Sequence, residues 1–276
     1  MPETTSNKTT GLHTNAFNTT ITSHTFENGI GEIVFEGDVT RIGDYAFYQC
    51  SGITEVKIPY SVTSIGSDAF FSCSSLGFIN LSNVKYLGGS TFYGCSNLSS
   101  IDISSVTDSL QGNVFNGCTG LVSITIPDSI TRISSYAFAG CTGLTSITIP
   151  DSVREIESGT FSNCIGLTSV LLPSNSSFSR LELEVFNNCT SLSSITIPDS
   201  VTFLNNDVFN NCTSLNSITS LATSAPQLYK NSQATYSQFT GVGVGGTLMV
   251  PTGATGYDVW LTALAMGSSS WTLVEQ

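Results

Sequence analysis

The soft and nitrogen side chains in this 276-residue chain that could ligate zinc or act as strong nucleophiles are eight cysteines and two histidines. Zinc ligands usually occur at C-x-x-C or H-x-x-x-H spacing, and neither spacing is present here. The histidines, His13 and His24, have no cysteine or carboxylate partner in a recognisable motif. We therefore expect no metal site.

The motifs of nucleotide-binding and hydrolytic enzymes are also missing. The sequence has neither a G-x-x-x-x-G-K-[ST] phosphate loop nor a G-x-S-x-G nucleophile elbow. The glycine-rich stretch GVGVGG at 241–246 leads into a predicted strand rather than opening a helix. Carboxylate pairs such as Glu182 and Glu184 exist, but no pattern places them in a cleft. The sequence thus predicts no catalytic residue, no cofactor and a non-enzymatic protein.

The positions of the cysteines show an internal repeat. Neighbouring cysteines are separated by 22 to 25 residues, and they are Cys50, Cys73, Cys95, Cys118, Cys141, Cys164, Cys189 and Cys212. An isoleucine or leucine follows each cysteine by three residues, and a phenylalanine precedes each by three: Phe47, Phe70, Phe92, Phe115, Phe138, Phe161, Phe186 and Phe209. A period of this length is typical of stacked repeat architectures.

Each repeat predicts a short strand followed by a return segment. In the clearest unit, residues 144–164, Leu144, Ile147 and Ile149 form an L-x-x-I-x-I pattern with one buried face. Pro150 ends the strand because it has no N–H for a further ladder bond. One unit cannot bury its own apolar side, but stacked units can, so the chain is predicted to be a solenoid.

The repeat register extends beyond the cysteines and sets the domain boundaries. Ile30, Ile33 and Phe35 match the strand positions at the start, and TLMVP at 247–251 matches them at the end. We expect ten parallel strands in one sheet, short irregular or 3₁₀ return segments, a helix in 256–266 and a final strand in 270–276. The predicted parts are an irregular N-terminal cap (1–25), repeats (26–221) and a C-terminal cap (222–276) that contains a last degenerate repeat.

The pattern L-x-x-I-x-I-P-x-S-V-x-x-I-x-x-x-A-F-x-x-C resembles the BspA-like bacterial leucine-rich repeats. The segment IPDSITRISSYAFAGCTGL at 126–144 is close to that consensus, and the tail VPTGATGYDVW is similar to C-terminal segments of the family. The resemblance implies a leucine-rich-repeat solenoid. It also implies a surface or secreted protein of anaerobic gut or oral bacteria, with adhesion to host proteins or other cells as a role.

Charge and hydropathy restrict the partners. Eight basic and 20 acidic residues give a net charge of −12, which repels phosphate backbones and argues against nucleic-acid binding. No apolar run approaches the ~20 residues that a membrane span needs. The start, MPETTSNKTT, lacks signal-peptide features. We expect an extracellular or cell-surface protein whose export signal has been trimmed; a cytoplasmic location is the alternative.

The cysteines allow two interpretations. An even number in an exported protein suggests disulfides. However, all eight occupy one column, where the Cβ atoms of adjacent coils lie near the ~4.8 Å strand spacing and not at the ~3.8 Å of a disulfide. We therefore predict eight buried thiols that act as small hydrophobic side chains.

Two sets of residues are candidates for binding. The solvent-facing strand positions are mostly Ser and Thr, with these exceptions: Glu32, Glu55, Lys57, Phe78, Asn80 and Asp102. An aromatic column follows the phenylalanines by one residue: Tyr48, Phe71 and Tyr93. The strand set suggests a contact for a protein partner, and the aromatic column suggests a protein or carbohydrate contact. Alternatively, strand faces vary freely and the aromatic column only shields the return segment.

These observations lead to a functional expectation with two alternatives. We expect a surface or secreted binding module for adhesion or protein–protein interaction. The alternatives are a structural cell-envelope component without a discrete ligand and a carbohydrate-binding module.

Overall fold

A computed structural model describes residues 16–27, 30–230, 236–265 and 271–276. The first strands are β1 (Ile21–Glu27), β2 (Ile30–Phe35), β3 (Arg41–Ile42), β4 (Glu55–Val56), β5 (Ser64–Ile65), β6 (Phe78–Ile79) and β7 (Tyr86–Leu87). The middle strands are β8 (Asp108–Leu110), β9 (Ile130–Ile133), β10 (Ser146–Thr148), β11 (Glu155–Ile156), β12 (Ser169–Leu171) and β13 (Arg180–Leu181). The last elements are β14 (Ser194–Ile197), β15 (Phe203–Leu204), β16 (Ser217–Ser220), β17 (Gln227–Leu228), β18 (Thr247–Val250), α1 (Asp258–Ala265) and β19 (Thr272–Glu275).

The L-x-x-I-x-I segments form the first sheet, as the repeat predicts. Its strands pair in parallel and in register as β4-β6, β10-β12 and β14-β16-β18-β19. The segments 99–103 and 122–126 lie in the same column without forming a regular strand, although Ile101, Ile103, Ile124 and Ile126 still point inward. The fold is therefore confirmed, but the expected ten-strand sheet is interrupted at these two coils and again between β12 and β14.

The return segments form a second parallel sheet, which the sequence did not predict. Strands at the V-x-x-I positions pair as β3-β5-β7, β8-β9-β11 and β13-β15-β17. The expectation of a single sheet with irregular returns was wrong on this point. The reason is that stacking at strand spacing brings equivalent return residues of successive coils within hydrogen-bonding distance, even where only two residues are extended.

The N-terminal part differs from the expected first coil. β2 pairs antiparallel with β1, so Ile30 and Phe35 belong to a hairpin and not to the parallel sheet. Phe17 packs against both Phe35 and Phe47, with ring centroids 5.0 and 6.0 Å apart. The hairpin and Phe17 thereby help to cap the first coil, which would otherwise expose apolar core residues to solvent.

A column of phenylalanines runs through the core. Successive rings stack with centroids 5.0 to 5.9 Å apart, from Phe47 through Phe209 to Phe239. Trp260 of α1 ends the column 5.4 Å from Phe239, and its Nε1–H donates to the Pro226 carbonyl at 2.9 Å. The predicted C-terminal helix is confirmed, and it covers this end of the core.

Two kinds of turn residue explain the polar part of the repeat. In three coils the serine after the proline donates its hydroxyl to a carbonyl of the preceding coil: Ser61 to Val39 at 2.7 Å, Ser129 to Val106 at 2.6 Å and Ser152 to Ile130 at 2.7 Å. The residue before each cysteine has a positive φ, for example 68° at Gly140 and 62° at Asn163. Glycine and asparagine adopt this conformation with the least strain, so they are common at that position.

Candidate functional site

The cysteines form a packed column in the interior. The seven from Cys73 to Cys212 are free thiols and are buried, whereas Cys50 in the first coil is only partly buried, so the prediction of eight buried thiols was wrong at that position. Each donates its S–H to the carbonyl of a phenylalanine in the preceding coil, at 3.1 to 3.2 Å. The thiols therefore add a hydrogen bond between coils while filling an apolar position.

Burial makes these thiols poor nucleophiles. It raises the pKa of four of them to about 12: Cys73, Cys118, Cys164 and Cys212. It raises the pKa of Cys95, Cys141 and Cys189 well above the ordinary value. Since the thiolate is the reactive form, the column has little reactivity near neutral pH.

The described residues show no arrangement for a metal. Within residues 16–27, 30–230, 236–265 and 271–276, no three His, Cys, Asp or Glu side chains come together to hold an ion. His24 lies exposed on β1, and His13 lies outside the described residues.

Three of the predicted strand-face residues come together at the N-terminal end of the first sheet. Glu55 of β4 lies directly beside Phe78 of β6 in the parallel register. Lys57 lies 3.6 Å from the Glu55 carboxylate, and both side chains are mostly exposed. Phe78 keeps 52% of its surface exposed. We call Glu55, Lys57 and Phe78 the first-sheet surface.

The other predicted strand-face residues have local partners or lie elsewhere. Asn80 accepts the Ile58 N–H at 2.7 Å and donates to the Ile58 carbonyl at 3.1 Å, so it joins two coils. Asp102 accepts the Ser104 N–H at 2.9 Å, a hydrogen bond that lowers the pKa of its carboxyl. Glu32 lies opposite Thr25 in the hairpin and is not part of the parallel sheet.

Beyond these coils the first sheet presents mainly hydroxyl groups. The predicted alternation is confirmed, since Ile147 and Ile195 are buried while the flanking residues Ser146, Thr148, Ser194 and Thr196 are exposed. Leu171 interrupts the hydroxyl face, with 60% of its surface exposed.

The predicted aromatic column forms a stack of three rings. Tyr48 and Phe71 lie 4.9 Å apart, Phe71 and Tyr93 lie 4.6 Å apart, and the rings are within 17° of parallel. Tyr45 packs edge-on against Tyr48 at 5.6 Å. Stacking covers the faces between the rings and leaves mainly their edges for solvent. This geometry favours a packing role for the column over a binding role.

The second sheet carries an outer face that the sequence analysis missed. Of the seven basic residues in the described ranges, six lie in its strands or within two residues of them: Arg41, Lys85, Arg132, Arg154, Arg180 and Lys230. Arg132 forms an ion pair with Glu157, and Arg180 with Glu182 at 2.9 Å. The available signal was the V-x-x-I spacing, whose intermediate residues point outward once the returns are extended.

The described residues give no sign of a membrane span. No helix among them has the length and apolar composition needed to cross a bilayer.

Comparison with known proteins identifies the repeat. The family model described as BspA type Leucine rich repeat region, with six copies, matches residues 19–144 and 108–234. No curated protein matches the sequence.

Several solved structures are similar to the chain. A leucine rich cell surface protein from Faecalibacterium prausnitzii A2-165 is 24% identical, covering 82% of this chain and 79% of its own, with a TM-score of 0.36. The T. pallidum Leucine Rich Repeat protein is 21% identical over 92% of this chain and 96% of its own, with a TM-score of 0.47. The pneumococcal vaccine antigen PcpA is 14% identical over 92% and 87%, with a TM-score of 0.36.

Proposed function

The chain belongs to the BspA type leucine-rich repeat family, and on that premise we propose that it is a non-enzymatic protein-binding module at the bacterial cell surface or outside the cell. Its partner is a protein of the host or of another bacterial surface, and the contact is centred on the first-sheet surface. The family match supports a repeat scaffold of this kind, and the arrangement of Glu55, Lys57 and Phe78 supports the place of contact.

The exposed ring of Phe78 is the observation that carries the proposal. The following coils have serine at the equivalent position, for example Ser100 and Ser123. A serine is thus compatible with the fold there, so the stability of the solenoid does not require a large apolar side chain. Burying such a side chain against a partner contributes about 1.5–3 kcal/mol. Aromatic anchors of this kind dominate many protein interfaces.

The neighbouring charges supply orientation more than affinity. The Glu55–Lys57 pair is exposed, with a separation of 3.6 Å. Exposed pairs contribute ~0–1 kcal/mol to stability. They do, however, present a negative and a positive group beside the Phe78 ring, which a partner of complementary charge can recognise.

A protein array of host extracellular proteins and bacterial surface proteins tests this proposal. The variant Phe78→Ser replaces the exposed ring with the serine that the later coils have at this position. We expect it to weaken binding by about tenfold or more, which corresponds to ~1.4 kcal/mol. The matched control is Leu171→Thr, which removes another exposed apolar residue of the same sheet. Melting temperatures of both variants should stay near that of the wild type.

Equal binding by the wild type and Phe78→Ser would contradict the proposed contact. The second candidate function, a structural envelope component, is favoured by the face from Ser123 to Thr196, which exposes mainly hydroxyl groups apart from Leu171. It predicts that neither the wild type nor the variants bind any protein on the array.

A further inference from the structure

We propose that a groove on the outer face of the second sheet binds a single sugar residue of a glycan. The groove lies between Arg41 and Tyr86, is also lined by Asp44, Ser64 and Ser67, and has a volume of about 340 Å³. Small-molecule sites commonly occupy ~300–1,000 Å³, so this groove suits one small ring and not an extended ligand. The proposal is independent of the protein contact at the first-sheet surface.

A missing side chain creates the groove. Arg41 of β3 lies beside Ser64 of β5, and Ser64 lies beside Tyr86 of β7, all in one register. Two strand spacings, roughly 9–10 Å, therefore separate the backbones of Arg41 and Tyr86. Because Ser64 is small, the space between the guanidinium and the phenol ring stays open.

Tyr86 provides an aromatic face. Its side chain is 48% exposed, and no aromatic ring in the described ranges stacks on it. The Tyr48–Phe71–Tyr93 stack differs, because its rings cover one another. The C–H groups of a pyranose ring can therefore pack on the apolar face of the Tyr86 ring, while the Tyr86 hydroxyl stays in contact with water.

Arg41 and Asp44 provide the polar groups at the other side. Their closest atoms, Nη2 and Oδ1, are 3.5 Å apart, and the two side chains are about half exposed at 55% and 51%. The Ser67 N–H donates to Asp44 Oδ1 at 2.9 Å and so fixes the carboxylate. A guanidinium and a carboxylate side by side offer donors and acceptors to the adjacent hydroxyls of one sugar.

The absence of a side chain at Gly66 leaves room for the Asp44 carboxylate. A Cβ at Gly66 would overlap Asp44 Oδ1 and its backbone nitrogen. In later coils the positions equivalent to Gly66 hold Glu157 and Glu182, whose carboxylates pair with Arg132 and Arg180. Those pairs occupy the outer face of the later coils, so the argument for a sugar site applies to the first three coils.

A glycan array with the full chain tests the proposal. The array carries glycans that end in neutral hexoses, N-acetylhexosamines and uronic acids, and the methyl glycoside of the best hit is then titrated in solution. We expect binding that Ser64→Tyr weakens by at least tenfold, since the new ring fills the groove without removing Arg41, Asp44 or Tyr86. Tyr86→Ser should weaken binding similarly. Both variants should keep the melting temperature of the wild type.

The matched control is Tyr60→Ser, which removes another exposed tyrosine that does not line the groove and should leave glycan binding unchanged. If Arg41→Gln loses binding to glycans ending in uronic acids but keeps binding to neutral ones, the result would support a charge contact between Arg41 and the sugar within the same site. Absence of any glycan bound by the wild type would overturn the proposal, as would wild-type binding by folded Ser64→Tyr and Tyr86→Ser. Neither result changes the outcome expected on the protein array, so the sugar site and the protein contact can be refuted independently of each other.

Discussion

The cysteine column shows how a single residue type meets two requirements at once. The position needs a small apolar side chain, as Val242 in the last coil indicates, since it follows Phe239 by three residues and is also buried. A thiol fills the same space and in addition donates to a backbone carbonyl, as Cys141 does to Phe115 at 3.2 Å. The cysteines therefore contribute to packing and to hydrogen bonding between coils.

Burial of the thiols predicts a loss of stability at alkaline pH. An exposed thiol in the unfolded chain ionises near pH ~8.5, whereas the pKa of Cys73 and Cys164 is raised to about 12 in the folded chain. Between these values the folded state binds more protons than the unfolded state, so stability falls as pH rises. Each such thiol costs ~1.4 kcal/mol per pH unit in that window. The free energy of unfolding, measured by urea denaturation at pH 7 to 11, should thus decline steeply only above about pH 9.

The double variant Cys141→Val and Cys164→Val is the control for this effect. Valine suits the position in the last coil, so the fold should be retained at neutral pH. The alkaline decline should become shallower by about 3 kcal/mol per pH unit. An unchanged decline in the variant would show that thiol ionisation is not the cause.

At the scale of elements, stability comes from inward-facing columns that repeat with the coil. Phe138 is fully buried between Phe115 and Phe161, at 5.5 Å from each. Thr148 lies on the outer face of β10 and is exposed. One repeat length thus contains a residue whose side chain holds neighbouring coils together and one whose side chain faces solvent.

This contrast predicts very different effects of two alanine substitutions. Phe138→Ala should destabilise the protein by about 3–5 kcal/mol, because it removes a core aromatic and leaves a cavity. Thr148→Ala should change the unfolding free energy by no more than about 0.5 kcal/mol. Urea unfolding of both variants checks the assignment, and similar losses in the two would refute it.

The sequence predicts the first sheet because Leu144, Ile147 and Ile149 alternate over enough residues to define a buried face. It does not predict the second sheet, because Val153 and Ile156 enclose only two residues, too few to show a period of two. The exposure of Phe78 follows from the same alternation. The groove between Arg41 and Tyr86 does not, because it depends on three coils being in register and on the small Ser64 between them.

At the scale of the whole molecule, the exposed side chains are unevenly distributed along the solenoid. The first-sheet surface, the stacked aromatic column and the groove all belong to the first three coils, whereas the later coils of the first sheet mainly expose serine and threonine. Coils in a solenoid contact only their neighbours, so substitutions in later coils should leave the first coils intact. The first three coils can thus carry the binding contacts, while the later coils repeat the same scaffold.

Hydrogen–deuterium exchange with a partner selected on the protein array tests the central proposal, a contact at one end of the first sheet, most directly. We expect the bound partner to slow amide exchange in peptides covering residues 54–58 and 77–81 and to leave residues 145–149 and 193–197 unchanged. Slowing centred on the later coils, or equally strong along the whole sheet, would contradict a contact centred on Phe78.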